Sequence, residues 1–166
     1  GDIHFVPNAA EVGQKIDING VVSTYSLIYT TNGAYDGGVL APNGDIHFVP
    51  NSAAVGQKIN INGVVSTYSL VYTTTGGAYW GGILAPNGDI HFVPNAAIVG
   101  QKISANGAVS TYSLVYINPS DGAYAGAVLA PNGDIHFVPI GATVGQKISA
   151  NGAISTYSLV YTNSFG

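Results

Sequence analysis

The chain has 166 residues, 46% of them apolar and only 7% charged, which excludes a disordered polymer and allows one domain with a real core. Four lysines against eight carboxylates give a net charge of −4 and no basic stripe to neutralise phosphates, so nucleic acid is not expected as a partner. No apolar run approaches the roughly 20 residues of a membrane helix, so no membrane insertion is expected, and the absence of cysteine removes disulfides and thiolate metal sites.

The motif GDIHFVP opens at Gly1, Gly44, Gly88 and Gly133, which divides the chain into repeats 1–43, 44–87, 88–132 and 133–166. A period of this size belongs to the ~40–50 residue range of propeller blades. In the first repeat, Asp2–Pro7 is a β-branched and aromatic run closed by proline, and it predicts a strand. After the link Asn8-Ala9-Ala10-Glu11, Val12–Ile18 predicts a second strand. Asn19-Gly20 is a hairpin signal of the type I′ kind and leads into a third strand, Val21–Tyr29. Thr30–Ala34 reads as a loop, Tyr35–Ala41 as a glycine-bearing fourth strand, and Pro42-Asn43-Gly44 as the turn into the next repeat. No segment carries a helical period.

Four such antiparallel meanders are each too small to bury both faces alone, and stacking face to face around an axis satisfies them all. The fold expected is therefore an all-β propeller of four-stranded blades, with Gly37-Gly38, Gly81-Gly82 and Gly126 on the innermost strand, where the blades crowd the axis. The run GGVLAPNGDIHFVP, then VGQKI, then NGVVSTYSLVY, resembles the blade pattern of NHL-type and kelch-like propellers across the whole chain. That resemblance implies the fold and carries over no catalytic residue. The inner strand occurs only three times, at 35–41, 79–85 and 124–130, so one blade is expected to lack it. After Tyr161 the run Thr162 to Gly166 stops short of another AY-x-G segment. An open edge invites pairing, which predicts self-association or a place in a larger propeller.

Histidines 4, 47, 91 and 136 sit one per repeat on an off-axis strand, a pattern that points to hydrogen bonding within blades rather than a shared metal. Asp2, Asp45, Asp89 and Asp134 lie two residues before His4, His47, His91 and His136, on the same side of the strand, which predicts a repeated Asp–His structural network. Lys15, Lys58, Lys102 and Lys147 read as solubilising charges on exposed strands. The STYSL segments read as outer strands with one solvated face, and no G-x-S-x-G elbow accompanies them. No polar constellation occurs once and only once, so no catalytic residue, cofactor or metal site is assigned and the chain is not expected to be an enzyme.

Differences among repeats concentrate in the link after the second strand and the loop before the inner strand, both at one end of the blades. This predicts a recognition face formed by Glu11, Asn32, Tyr35, Asp36, Tyr79, Trp80, Ile98, Asp121, Tyr124 and Thr143. Trp80, the only tryptophan, stands where Asp36 and Ala125 stand in other repeats. A protein partner is expected, with two alternatives: a lectin with sites between blades, and a self-assembling structural repeat without ligand. The substitution of Ser104-Ala105 and Ser149-Ala150 for Asp17-Ile18 and Asn60-Ile61 reads as duplication history. A surface rich in small hydroxylated residues leans extracellular or surface-associated.

Overall fold

The computed structural model describes residues 1–162, and over that span the chain forms four antiparallel sheets in sequence order. The first sheet has three strands, β1 (Ile3–Phe5), β2 (Val12–Ile16) and β3 (Val22–Ser26). The second has four, β4 (Tyr35–Leu40), β5 (Ile46–Pro50), β6 (Gly56–Ile59) and β7 (Val65–Tyr68). The third comprises β8 (Tyr79–Leu84), β9 (Ile90–Pro94), β10 (Val99–Ile103) and β11 (Val109–Ser113). The fourth comprises β12 (Tyr124–Leu129), β13 (Ile135–Pro139), β14 (Val144–Ile148) and β15 (Ile154–Ser158). Each sheet is a blade of a β-propeller, and the blades run out of phase with the sequence repeat. The fourth strand of one repeat becomes the inner strand of the next blade, which leaves the first blade without one. The sequence-based expectation for 163–166 lies outside the described residues.

The core is built between blades rather than within them. Tyr35, Phe48 and Ile59 of the second blade pack on Val6, Tyr25, Leu27 and Tyr29 of the first. The third blade covers the second in the same way through Tyr79, Phe92 and Ile103, and the fourth covers the third through Tyr124, Phe137 and Ile148. Phe48 and Phe92 are fully buried, and each contributes about 2–3 kcal/mol by leaving water. One polar device repeats at every junction. Gln57, with no exposed surface, accepts the N–H groups of Ile28 and Tyr29 of the preceding blade, both at 2.9 Å. Gln101 does the same for Val71 and Tyr72, and Gln146 for Val115 and Tyr116. This explains why the outer strand ends at Ser26 and not at the predicted Tyr29: those backbone donors are committed to the next blade.

Two local details differ from expectation. The Asn19-Gly20 turn is a longer loop in which the Asp17 carboxylate accepts the N–H groups of Asn19 and Val21, with positive φ at Gly20 alone (82°). A type I′ turn would need positive φ at Asn19 too, and the side-chain acceptor removes that need. Each inner strand also carries a bulge: Tyr35 pairs with Pro50 and Gly38 with Phe48, so Asp36 and Gly37 together oppose one residue. The bulge glycine has positive φ, and a Cβ on Gly81 would lie 3.7 Å from the Gly126 Cα, so these strands approach backbone to backbone as predicted.

Candidate functional site

The repeated polar residues do not pair as predicted. Each aspartate pairs with a lysine across the second and third strands of its blade: Lys58–Asp45 and Lys102–Asp89 at 2.6 Å, Lys147–Asp134 at 2.7 Å, and Lys15–Asp2 at 2.6 Å. Each histidine turns instead to the outer-strand tyrosine. His47 Nδ1 lies 3.3 Å from the Tyr68 hydroxyl, His91 3.3 Å from Tyr112, and His136 3.2 Å from Tyr157. His4 faces Tyr25 edge-on, and its Nδ1 has no hydrogen-bond partner among the described residues. The Asp–His network is therefore replaced by Asp–Lys and His–Tyr pairs, because register sets Lys58 opposite His47 and brings its long side chain to the carboxylate. The lysines are ion-paired rather than free surface charges.

Between blades, at the end carrying the Pro-Asn-Gly turns, lie two equivalent clefts. The cleft between the second and third blades, about 220 Å³, is walled by Pro42, His47, Lys58 and Tyr68 on one side and by Ile90, Ile103 and Ala105 on the other. That between the third and fourth blades, about 480 Å³, has Pro86 and His91 facing Ile135, Ile148 and Ala150. In the second blade Ile61 occupies the position of Ala105 and Ala150, and its Cδ1 leans to 3.1 Å from where a Cβ on Gly44 would stand. The Ile-to-Ala difference that reads in the sequence as duplication history thus shapes the cleft walls. Its signal was a size change at a single turn position.

Burial pushes His47 down to about 4, the neighbouring Lys58 charge adding to this against the pull of Asp45. His91 behaves alike, with Lys102 and Asp89 in those roles. Burial would raise Asp45, but the hydrogen bond and charge of Lys58 outweigh it and hold the carboxyl below its ordinary value. At neutral pH each cleft therefore offers a neutral imidazole, and the Lys58 charge at the first is compensated by Asp45.

The loop and the link from which a recognition face is expected meet at one end of the blades: Ala34 donates to the Asn8 carbonyl and accepts from Asn51. Glu11, Asn32, Trp80, Ile98, Asp121 and Thr143 are exposed on it and Asp36 is half-buried. Tyr35, Tyr79 and Tyr124 are not on it: all three are completely buried and donate their hydroxyls to the carbonyls of Val55, Val99 and Val144. Strand alternation turns these rings into the interblade core, which removes them as ligand-stacking residues.

No protein-family model matches the sequence, and no curated protein matches it. Solved structures do resemble it in fold. Virginiamycin B lyase from Staphylococcus aureus superposes with a TM-score of 0.80 at 21% identity, covering 97% of this chain and 53% of that one. A streptogramin B lyase gives 0.78 at 22% identity over 96% and 52%. A structure named as a gluconolactonase gives 0.67 at 12% identity over 99% and 61%. The chain thus spans about half the length of the lyases it resembles. Identities this low show the fold alone, yet the finding corrects the expectation that the chain is not an enzyme. These three proteins sharing its fold are named as enzymes, so near-identical blades without a unique polar constellation do not argue against catalysis. A complete propeller can assemble a site from residues that differ blade by blade.

Proposed function

We propose that the chain is a ligand-binding propeller segment whose interblade clefts take a small, neutral, hydroxylated unit, with carbohydrate as the chemistry that fits best. The observation that carries this reading is the recurrence, at successive blade junctions, of a cleft in which a proline and a histidine face two isoleucines and an alanine. A repeated site suits a ligand made of repeated units, since linked sites raise avidity without new contacts. With Lys58 ion-paired and the histidines neutral, the described lining offers no free cation to a phosphate or carboxylate, while isoleucine and proline walls with a few polar groups suit a sugar ring.

The test is titration of the 15N-labelled chain with galactose, N-acetylglucosamine and their short oligomers, followed by NMR. Amide shifts are expected at His47, Ala105, His91 and Ala150, and Ala105→Ile with Ala150→Ile should abolish them. Isoleucine already occupies this position at Ile61, so the variant keeps the fold. Shifts that survive the filled clefts would overturn the reading. Shifts at Trp80, Asp36 and Asn32 on addition of a protein ligand would favour the second reading, recognition by the variable end. That reading rests on Trp80, 37% exposed at the bulge of its inner strand.

A further inference from the structure

Eight Asn-Gly pairs punctuate the chain, and each is a place where the protein can modify itself, since asparagine is thermolabile and glycine leaves its own nitrogen unshielded. In that reaction the glycine nitrogen loses its proton and bonds to the asparagine Cγ, and the side-chain nitrogen leaves as ammonia. Water then opens the succinimide ring at either carbonyl. The product is aspartate, or isoaspartate where the main chain comes to run through the side-chain carbonyl. Within a folded chain the glycine N–H and the side-chain amide must both be free to meet. Hydrogen bonds on either group oppose the reaction.

In seven of the eight pairs the glycine N–H is held by the carbonyl three residues back. In the three Pro-Asn-Gly turns Gly44 donates to Ala41 at 3.0 Å, Gly88 to Ala85 at 3.0 Å and Gly133 to Ala130 at 2.9 Å. There the asparagine oxygen is held as well, accepting from the backbone of the following aspartate at 3.0–3.1 Å. In the hairpin turns of the third and fourth repeats, Asn106 accepts from the Ser104 hydroxyl at 2.6 Å and Asn151 from Ser149 at 2.8 Å. Asn19 and Asn62 have no such side-chain bond among the described residues, although Gly20 and Gly63 are still held. The eighth pair, Asn32-Gly33, has neither restraint. Asn32 is exposed, and among the described residues neither its amide nor the Gly33 N–H has a partner. The loop before β12 gives the contrast: Asp121-Gly122 stands in the same place with a similar glycine φ, 76° against 69°, and there Gly122 donates to Asn118 at 3.0 Å.

We infer that Asn32 is the residue at which this protein ages, deamidating and isomerising ahead of the other seven, in a loop at the variable end of the blades. Aspartate is tolerated at this position, as Asp121 shows. Isoaspartate is not, because it lengthens the backbone between Thr31 and Ala34. The Ala34 N–H is shared between the carbonyls of Thr31 and Asn8, both at 3.1 Å, so the longer turn also loosens the second blade from the first.

The test is incubation of the 166-residue chain at mildly alkaline pH, with tandem mass spectrometry of its peptides and enzymatic methylation of isoaspartate at timed intervals. Asn32 is expected to convert first, roughly tenfold or more faster than Asn43, Asn87 and Asn132, where two hydrogen bonds must open beforehand. Asn19 and Asn62 should fall between. In urea, with the fold removed, the eight rates should draw together. A Pro-Asn-Gly turn that converts as fast as Asn32 in the folded chain overturns the inference. So does a lead for Asn32 that persists undiminished in urea, which would place its cause in the sequence and not in the structure. Asn32→Gln, whose longer side chain disfavours the ring, should stop isoaspartate forming in that peptide. Fresh Asn32→Asp should keep the Tm of the unaged chain, while the aged chain, carrying isoaspartate, should melt lower; an unchanged Tm after ageing overturns the loosening of the turn.

Discussion

A buried amide with two backbone donors aimed at one oxygen, as at Gln101, is where a single side chain most tightly governs this molecule. Truncating it leaves the N–H groups of Val71 and Tyr72 buried without an acceptor, and each such group costs about 1–3 kcal/mol. Gln101→Ala should therefore lower stability by about 2–4 kcal/mol, read from the urea midpoint. The histidines set the response to acid. His47 and His91 sit at about 4 when folded against an ordinary 6.5, so between those values the unfolded chain binds more protons. Stability is full above pH 6.5 and is lost as pH falls toward 4, by up to about 3 kcal/mol per histidine. Unfolding free energies at pH 7.5 and 4.5 should show this loss, and His91→Gln should reduce the slope by about one proton. The Asp–His pairing expected from the sequence fails for an equally local reason. Two residues on one side of a strand are neighbours in the sequence pattern, but the cross-strand lysine reaches the carboxylate first, and only register reveals it.

At the level of the element, the inner strand was legible and its bulge was not. Alternation and glycine content marked residues 35–41, 79–85 and 124–130, and the structure places strands within each range. The extra residue at Asp36-Gly37 leaves no signature distinct from a glycine pair, although it decides where Trp80 sits. Gly81 holds φ at 84°, a conformation costing an L-residue about 1–2 kcal/mol. Gly81→Ala should lower Tm accordingly, while Gly76→Ala, with open space around it and no positive φ, should leave Tm nearly unchanged. The candidate clefts were illegible for a different reason. They form where two blades meet, from residues such as His47 and Ala105 that are far apart in sequence and individually unremarkable. Only the Ile-to-Ala exchange at the turn marked them, and without the facing blade its meaning could not be read.

For the whole molecule, the repeat period, the absence of helical pattern and the count of three inner strands sufficed to infer a propeller with one incomplete blade. The interblade core was implied by that inference but its terms were not, because apolar strand faces do not say which neighbour covers them. Three junctions built to one plan also mean that the faces themselves carry almost no address. The bracket of Gln146 accepts from Val115 and Tyr116, yet the donors at Ile28 and Tyr29, or Val71 and Tyr72, present the same backbone geometry on the same tyrosine-bearing strand. Blade order is thus enforced by the length of the connecting loops and not by recognition. During folding, a blade that skips its neighbour and docks on the next one along meets a surface as welcoming as the correct one. The near-identity that makes each junction sound is therefore also a source of kinetic traps, and the short links between blades are what keep the chain out of them.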